Sequence, residues 1–187
     1  MIKFWFNSIF KVDSIYKSNF NNTQEISSIN KVVFTMYLDS IVTSPKTVLY
    51  LITSTNIIAS QTPTPFKANK SVSSLNLRKN MILGTKATLR KSVAFDFLDF
   101  FIPIVLANDK ENKLYKLNDG GCLLIRLENL FSFPQINMLY DAFPKNIKVD
   151  VNIVLNGKKN KGQGTLLYTA LSIPLEKLKY NLTIVAK

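Results

Sequence analysis

The sequence predicts an α+β fold, an antiparallel sheet with helices packed on it, and three observations predict it. Strand-like stretches arrive with helical ones interspersed, few βαβ repeats appear, and one stretch, Ile147 to Leu155, alternates apolar and polar residues with period two. Helical spacing of apolar residues, by contrast, marks the stretches before Asn19, after Pro45 and after Lys91.

The elements follow in order. Trp5, Ile9, Val12 and Tyr16 fall at i, i+4, i+7 and i+11 with Lys3, Asn7, Lys11 and Lys17 among the polar positions, so the N-terminus reads as an amphipathic helix. Its apolar face would serve packing on the domain, on RNA or on a membrane surface. A transit peptide is Arg-rich and poor in acids; this stretch has no Arg and contains Asp13. A polar link, Asn19 to Asn30, leads to Lys31–Leu38, β-branched and aromatic enough for a strand. Ser44 as N-cap and Pro45 as first helical residue open a helix that ends near Ile58. Gln61 to Phe66 carries two prolines and reads as an extended break. Lys67 to Arg90 holds two strand pieces around a polar middle, and Lys91 to Leu106 is an apolar helix with Phe95, Leu98, Ile102 and Val105 on one face. Asn108 to Gly121 is a charged loop, Cys122 to Leu127 a strand with Cys122 as a small buried hydrophobe, and Ile147 to Leu155 a half-buried strand. Asn156 to Gly164 reads as a glycine and lysine loop, Thr165 as the cap of a short helix that Pro174 stops.

Composition narrows function. The chain has 187 residues, 24 Lys plus Arg against 12 Asp plus Glu, and no His, for a net charge of +12. That surplus points to a polyanion, nucleic acid first and an anionic membrane surface second. Without imidazole, Ser-His-Asp and Cys-His catalysis, HExxH zinc sites and His acid–base chemistry are excluded, and the single Cys122 forms no internal disulfide or CxxC site. The most apolar run, Val93 to Ala107, carries Asp96 and Asp99 and is too short to span a membrane. Lys, Asn, Ile, Phe and Tyr supply 78 residues while Ala, Gly, Arg and Pro supply 24, the signature of a very AT-rich gene in an organelle or an AT-rich nucleus.

The chemistry-bearing candidates reduce to charge. Gln61 to Phe95 holds Lys67, Lys70, Arg78, Lys79, Lys86, Arg90 and Lys91 and no acid, while Asn69, Ser71, Ser73, Ser74 and Asn76 offer hydrogen bonds to phosphate or 2′-OH. Lys outnumbers Arg 21 to 3, which favours backbone neutralisation over bidentate reading of bases. Asp96 and Asp99 lie three apart on one helix but lack a third oxygen ligand or a base nearby in sequence. They read as a solvent stripe or as partners of Lys91 or Arg90. The Gly157–Thr165 loop lacks the GK(S/T) ending of a phosphate loop, yet Lys158, Lys159 and Lys161 would let it approach RNA phosphates. No metal site and no cofactor is indicated, and the chain does not read as an enzyme.

The 44 residues Ile58 to Phe101 resemble the heart of the large-subunit ribosomal protein five family, the 5S-rRNA-binding protein of the central protuberance. Gln61 and Pro63, Lys67-Ala68-Asn69-Lys70-Ser71-Val72, Leu77-Arg78, Gly84, Lys86, Thr88-Leu89-Arg90 and Phe97-Leu98-Asp99 stand in the family's order without a gap. Phe133-Pro134-Gln135-Ile136 is similar to its FPEI, Gly164 to Pro174 resembles its closing segment, and KVVFTM from Lys31 is a weaker match. The chain departs from the pattern at Thr35, where the family has Asn, at Asn80 (Gly), Ile82 (Pro) and Leu75 (Phe), and its segments after the long helix differ. The resemblance implies a structural protein of a large ribosomal subunit, and the AT-rich composition points to an organellar, mitochondrial ribosome over a bacterial one. The resemblance also implies an rRNA-gripping surface at Gln61, Lys86, Thr88, Arg90 and Lys91, and a loop at Lys67, Asn69, Lys70, Ser71, Arg78 and Lys79 that approaches rRNA or the elbow of the P-site tRNA. The implied partners are large-subunit rRNA, 5S rRNA, that tRNA and neighbouring large-subunit proteins. On this reading residues 31–174 form the domain, with 1–30 and 175–187 as extensions. The reading from another class is a basic peripheral-membrane or protein-scaffold module acting through the N-terminal helix.

Overall fold

Among the described residues five strands form one antiparallel sheet in the order β2-β3-β1-β5-β4: β1 Ser28–Leu38, β2 Thr64–Lys67, β3 Ile82–Arg90, β4 Leu123–Leu127 and β5 Ile147–Asn156. The computed structural model describes residues 1–18, 20, 22–38, 45–75, 77–108, 115, 117–118, 120–144, 146–156 and 161–176. The expected α+β class is the observed one.

Period-two alternation dries one face of the sheet. Val32, Phe34 and Met36 of β1, Thr85, Ala87 and Leu89 of β3, Ile125 of β4 and Val149, Val151 and Ile153 of β5 are buried. The register places them side by side, Phe34 between Ala87 and Val151, Met36 between Thr85 and Val149. β1 starts three residues earlier than expected, because Ser28 and Ile29 find partners in Asn156 and Leu155 that no local propensity reveals. β2 falls inside the two-proline stretch read as a break. Pro65 is tolerated because β2 is an edge strand, where a missing N–H costs no ladder bond on the outer side.

Helices cover the dry face. The helix α1 runs Ile2–Trp5, passes through a π turn at Phe6–Phe10 and resumes over Lys11–Lys17. Its inward row is Ile2, Phe6, Phe10 and Ser14, while Ile9, Val12 and Tyr16 point out, Tyr16 at 85% exposure. Three of the four residues expected on the buried face are thus on the wrong side. The π turn carries a wider i+4 row straight down the helix, and Phe6 is fixed by stacking on Phe10 (5.3 Å) and by Phe95 (5.8 Å). α2, Pro45–Ala59, lies on β1 and β3; the expected N-cap Ser44 lies outside the described residues. Its buried Thr55 hydroxyl bonds the Leu51 carbonyl (2.6 Å) and the Thr85 hydroxyl (2.7 Å), so neither polar group is stranded in the core.

α3, Lys91–Phe100, continues as a π helix over Phe101–Leu106 around Pro103. The wide turn accommodates a proline that would break an α ladder and turns Ala94, Phe97, Phe101 and Val105 inward; Leu98 is buried as expected, whereas Phe95 and Ile102 only flank the core. Phe97 stacks on Phe101 (5.3 Å) and meets Phe34 edge-on (5.7 Å), and Phe133 meets Phe34 edge-on (5.8 Å). Such pairs add about 1 kcal/mol each beyond area burial. A short α4, Pro134–Asn137, follows, and α5, Lys161–Ala170, begins four residues before the expected cap. Thr165 sits inside α5 and donates back to the Gly162 carbonyl at 2.7 Å. Cys122 is half-buried just ahead of β4.

Candidate nucleic-acid interface

The open face of the sheet follows from the dry one. With core residues at every second position, Lys86, Thr88 and Arg90 of β3 must emerge opposite, and they do: the two cations are exposed and Thr88 is partly so. Register then adds residues that no local stretch of sequence places there. Lys31 pairs with Arg90, Val33 with Thr88 and Thr35 with Lys86, and across β1 stand Lys148 beside Tyr37, Asp150 beside Thr35 and Asn152 beside Val33. Arg126 of β4 faces Asp150. Five cations thus share the face with a single described acid, Asp150.

That acid is partnered. Arg126 Nε donates to Asp150 Oδ1 at 3.1 Å, and the Tyr37 hydroxyl lies 3.4 Å from the same oxygen. The hydrogen bond and then the charge of Asp150 hold the Arg126 guanidinium deeper in its protonated range, while burial, followed by the Asp150 charge, raises the Tyr37 hydroxyl.

Gln61 is exposed in the turn after α2, where Ser60 takes φ 50°. Lys91, exposed, is the first residue of α3 at φ 53°, so the chain turns sharply between Arg90 and the helix. Lys67, the last residue of β2, and Asn69, Lys70, Ser71, Arg78 and Lys79, on the loop that joins β2 to β3, are all exposed. Backbone bonds from Ala68 to Met81 (2.9 Å) and from Asn80 to Ala68 (3.0 Å) and a Val72–Leu77 bridge hold the loop closed at its base. The Ser71 hydroxyl accepts the Lys79 N–H at 2.9 Å, so Ser71 shapes the loop. Asn80 has φ 69°, the left-handed region where asparagine is the best-tolerated substitute for glycine. Lys158 and Lys159 lie outside the described residues, and Lys161 opens α5.

The structure corrects one further expectation. Asp96 is exposed, but Asp99 pairs with neither Lys91 nor Arg90: Oδ1 accepts the Ile2 N–H at 2.7 Å and Oδ2 the Met1 ammonium at 2.6 Å. A carboxylate from α3 therefore caps the N-terminus of α1 from a distance in sequence that no capping motif spans. Lys31, Tyr37, Arg126 and Lys148, which share the open face, were not among the residues expected there. Their only signal was strand alternation, which becomes a surface once the register is known. Among the described residues no group of three His, Cys, Asp or Glu side chains is placed to hold a metal.

Fold and surface together define a basic α+β protein whose sheet is covered by helices on one side, without a catalytic constellation among its described residues. No family model matches the chain. It is, however, 30% identical over 179 residues, 94% of its own length and 98% of the relative's, to large ribosomal subunit protein uL5m of Reclinomonas americana. The chain belongs to the uL5 family of large-subunit ribosomal proteins, in its mitochondrial form. It is a structural component of the mitochondrial ribosome and not an enzyme.

Proposed function

We propose that this protein binds rRNA with the open face of its sheet and with the β2–β3 loop, at the central protuberance and within reach of the P-site tRNA. The observation that carries the reading is the excess of cations on the uncovered face, Lys31, Lys86, Arg90, Arg126 and Lys148 against Asp150, continuous in sequence with an acid-free basic loop. Gln61 and Thr88 supply hydrogen bonds beside these charges, and the resemblance of Gln61–Arg90 to the family's 5S-rRNA-contacting segment favours 5S rRNA as the ligand, with large-subunit rRNA as the alternative. Lys67, Asn69, Lys70, Arg78 and Lys79 on the loop are the groups that would meet rRNA or tRNA. Residues 31–174 carry this activity, and 1–30 and 175–187 serve contacts with neighbouring ribosomal proteins.

The test is binding of the full chain to 5S and large-subunit rRNA transcripts across a salt series. Each phosphate neutralised adds about −0.7 to −0.9 to the slope of log affinity against log salt; a flat response overturns the reading. One observation favours a second role: Phe4, Val12 and Tyr16 form an outward row on α1 beside Lys3. No helix among the described residues is long and apolar enough to cross a membrane, but flotation of the full chain with anionic vesicles, abolished by Phe4→Ser with Tyr16→Ser, would establish surface binding.

A further inference from the structure

The open face is not uniformly polar. At one end of it two aromatic side chains flank a glycine. Phe66 on the edge strand β2 and Tyr37 on β1 are both register partners of Gly84 on β3, so the three form one row across the sheet. Two strand spacings, about 10 Å, separate the outer members. The row lies on the open side, because Thr85, next to Gly84, points into the core.

Gly84 makes room for the row. A Cβ there would collide with the Met36 carbonyl oxygen and would stand 2.7 and 2.8 Å from Cζ and Cε1 of Phe66. The Phe66 ring therefore rests over the glycine backbone, while the Tyr37 ring is tethered by its hydroxyl to Asp150. Both side chains are partly exposed. The row is bordered by cations: Lys67 follows Phe66 and is exposed, Lys86 is the next open-face residue of β3, and Lys148 faces Tyr37.

We infer that Phe66 and Tyr37 form a base-stacking site for an unpaired stretch of rRNA. The inference rests on the rRNA-binding reading and deepens it. A ring lying over a sheet, partly open to solvent and bordered by lysines, offers a nucleotide what its two halves require, a π face for the base and cations for the phosphates on either side. A double helix keeps its base faces stacked internally and cannot use such a ring. The ligand at this end of the face is therefore single-stranded, whereas the Lys31, Lys86 and Arg90 end is indifferent to strandedness. A leucine at position 66 would cover Gly84 equally well with apolar atoms; what it lacks is the π face.

The test uses the full 187-residue chain with a labelled oligouridine and a hairpin duplex of the same phosphate number. Phe66→Leu should weaken oligouridine binding about 5- to 100-fold, the range expected for one lost base stack, and leave duplex binding unchanged, while Phe66→Trp retains the single-strand affinity. Independently of any variant, photocrosslinking of the unsubstituted chain to 5-iodouridine-substituted RNA should label Phe66 or Tyr37. Salt-dependent binding with no effect of Phe66→Leu, or crosslinks confined to other residues, overturns the stacking site and leaves the electrostatic reading standing. Failure of the unsubstituted chain to bind either RNA overturns both.

Discussion

Neutralising the sheet's open face separates charge from fold. Lys31, Lys86 and Arg90 stand on neighbouring strands, Lys31 directly opposite Arg90, and the triple variant Lys31→Gln, Lys86→Gln, Arg90→Gln removes them without touching the buried face. Each phosphate contact releases about 0.7 counterion for single-stranded RNA, so three lost contacts should flatten the log–log salt slope by about 2. At 0.1 M salt, one decade below the 1 M reference, that is about 0.7 decade per contact and about 100-fold in affinity altogether. Stability should not fall. Like charges directly opposite one another on a sheet repel, and relieving the Lys31–Arg90 pair is worth a few tenths of a kcal/mol in the favourable direction. The assay is fluorescence anisotropy with an rRNA transcript at four or more salt concentrations, with a thermal melt as control for folding. Parallel salt slopes for the variant and the parent, or full affinity in the variant, would refute the reasoning.

Three further outcomes follow from the packing. Gly84→Ala drives a methyl group into the Met36 carbonyl and the Phe66 ring, and should cost about 2 kcal/mol or more in chemical denaturation; a loss below about 0.5 kcal/mol would mean the strand shifts freely. Asp99→Ala removes the acceptor for the Ile2 N–H (2.7 Å) and should destabilise α1 by about 1 kcal/mol. Trp5, the only tryptophan, lies in α1 and reports its release as a red shift in emission at lower denaturant than global unfolding. Burial holds the Tyr168 hydroxyl far above its ordinary pKa of 10.0, and it lies 3.2 Å from the carbonyls of Gly121 and Ile153. Because the unfolded chain releases this proton near pH 10 and the folded chain does not, the contribution is complete below pH 10 and lost as pH rises above it. Tyr168→Phe should flatten that alkaline decline, measured by urea melts at stepped pH.

What could be seen in the sequence and what could not divides along one physical line. β5 was legible because its period-two pattern is written in consecutive residues, and the basic segment was legible because seven cations without an acid are a local count. The buried side of α1 was not. Its chain offers apolar residues on two sides, Ile2, Phe6 and Phe10 on one and Phe4, Val12 and Tyr16 on the other. The choice is made by Phe95 and Asp99, more than eighty residues away. The extent of the open face was hidden for the same reason. Lys31 and Lys148 are separated by most of the chain and meet as a surface only through the β1–β5 register. Thr165 was misplaced as a cap because Gly162 and Gly164 argue locally for a loop, and the helix that contains them is held by the buried Leu167 and Tyr168.

A sheet dried on one side commits its other side. Once Val32, Phe34 and Met36 are buried, Lys31, Val33, Thr35 and Tyr37 have no choice of direction, and the same holds on β3 and β5. Substitutions on the open face can then change its charge without disturbing the core, and among the described residues that face carries five cations and one acid. The acid itself costs little attraction, since Asp150 spends its charge on Arg126 and its oxygen on Tyr37. Lysine, a point charge without a planar fork, supplies three of the five, so on the proposed reading the face favours phosphate neutralisation over bidentate reading of bases. On that reading, discrimination among RNAs falls to groups that sense shape or strandedness, which on this face are Thr88 and the Phe66–Gly84–Tyr37 row.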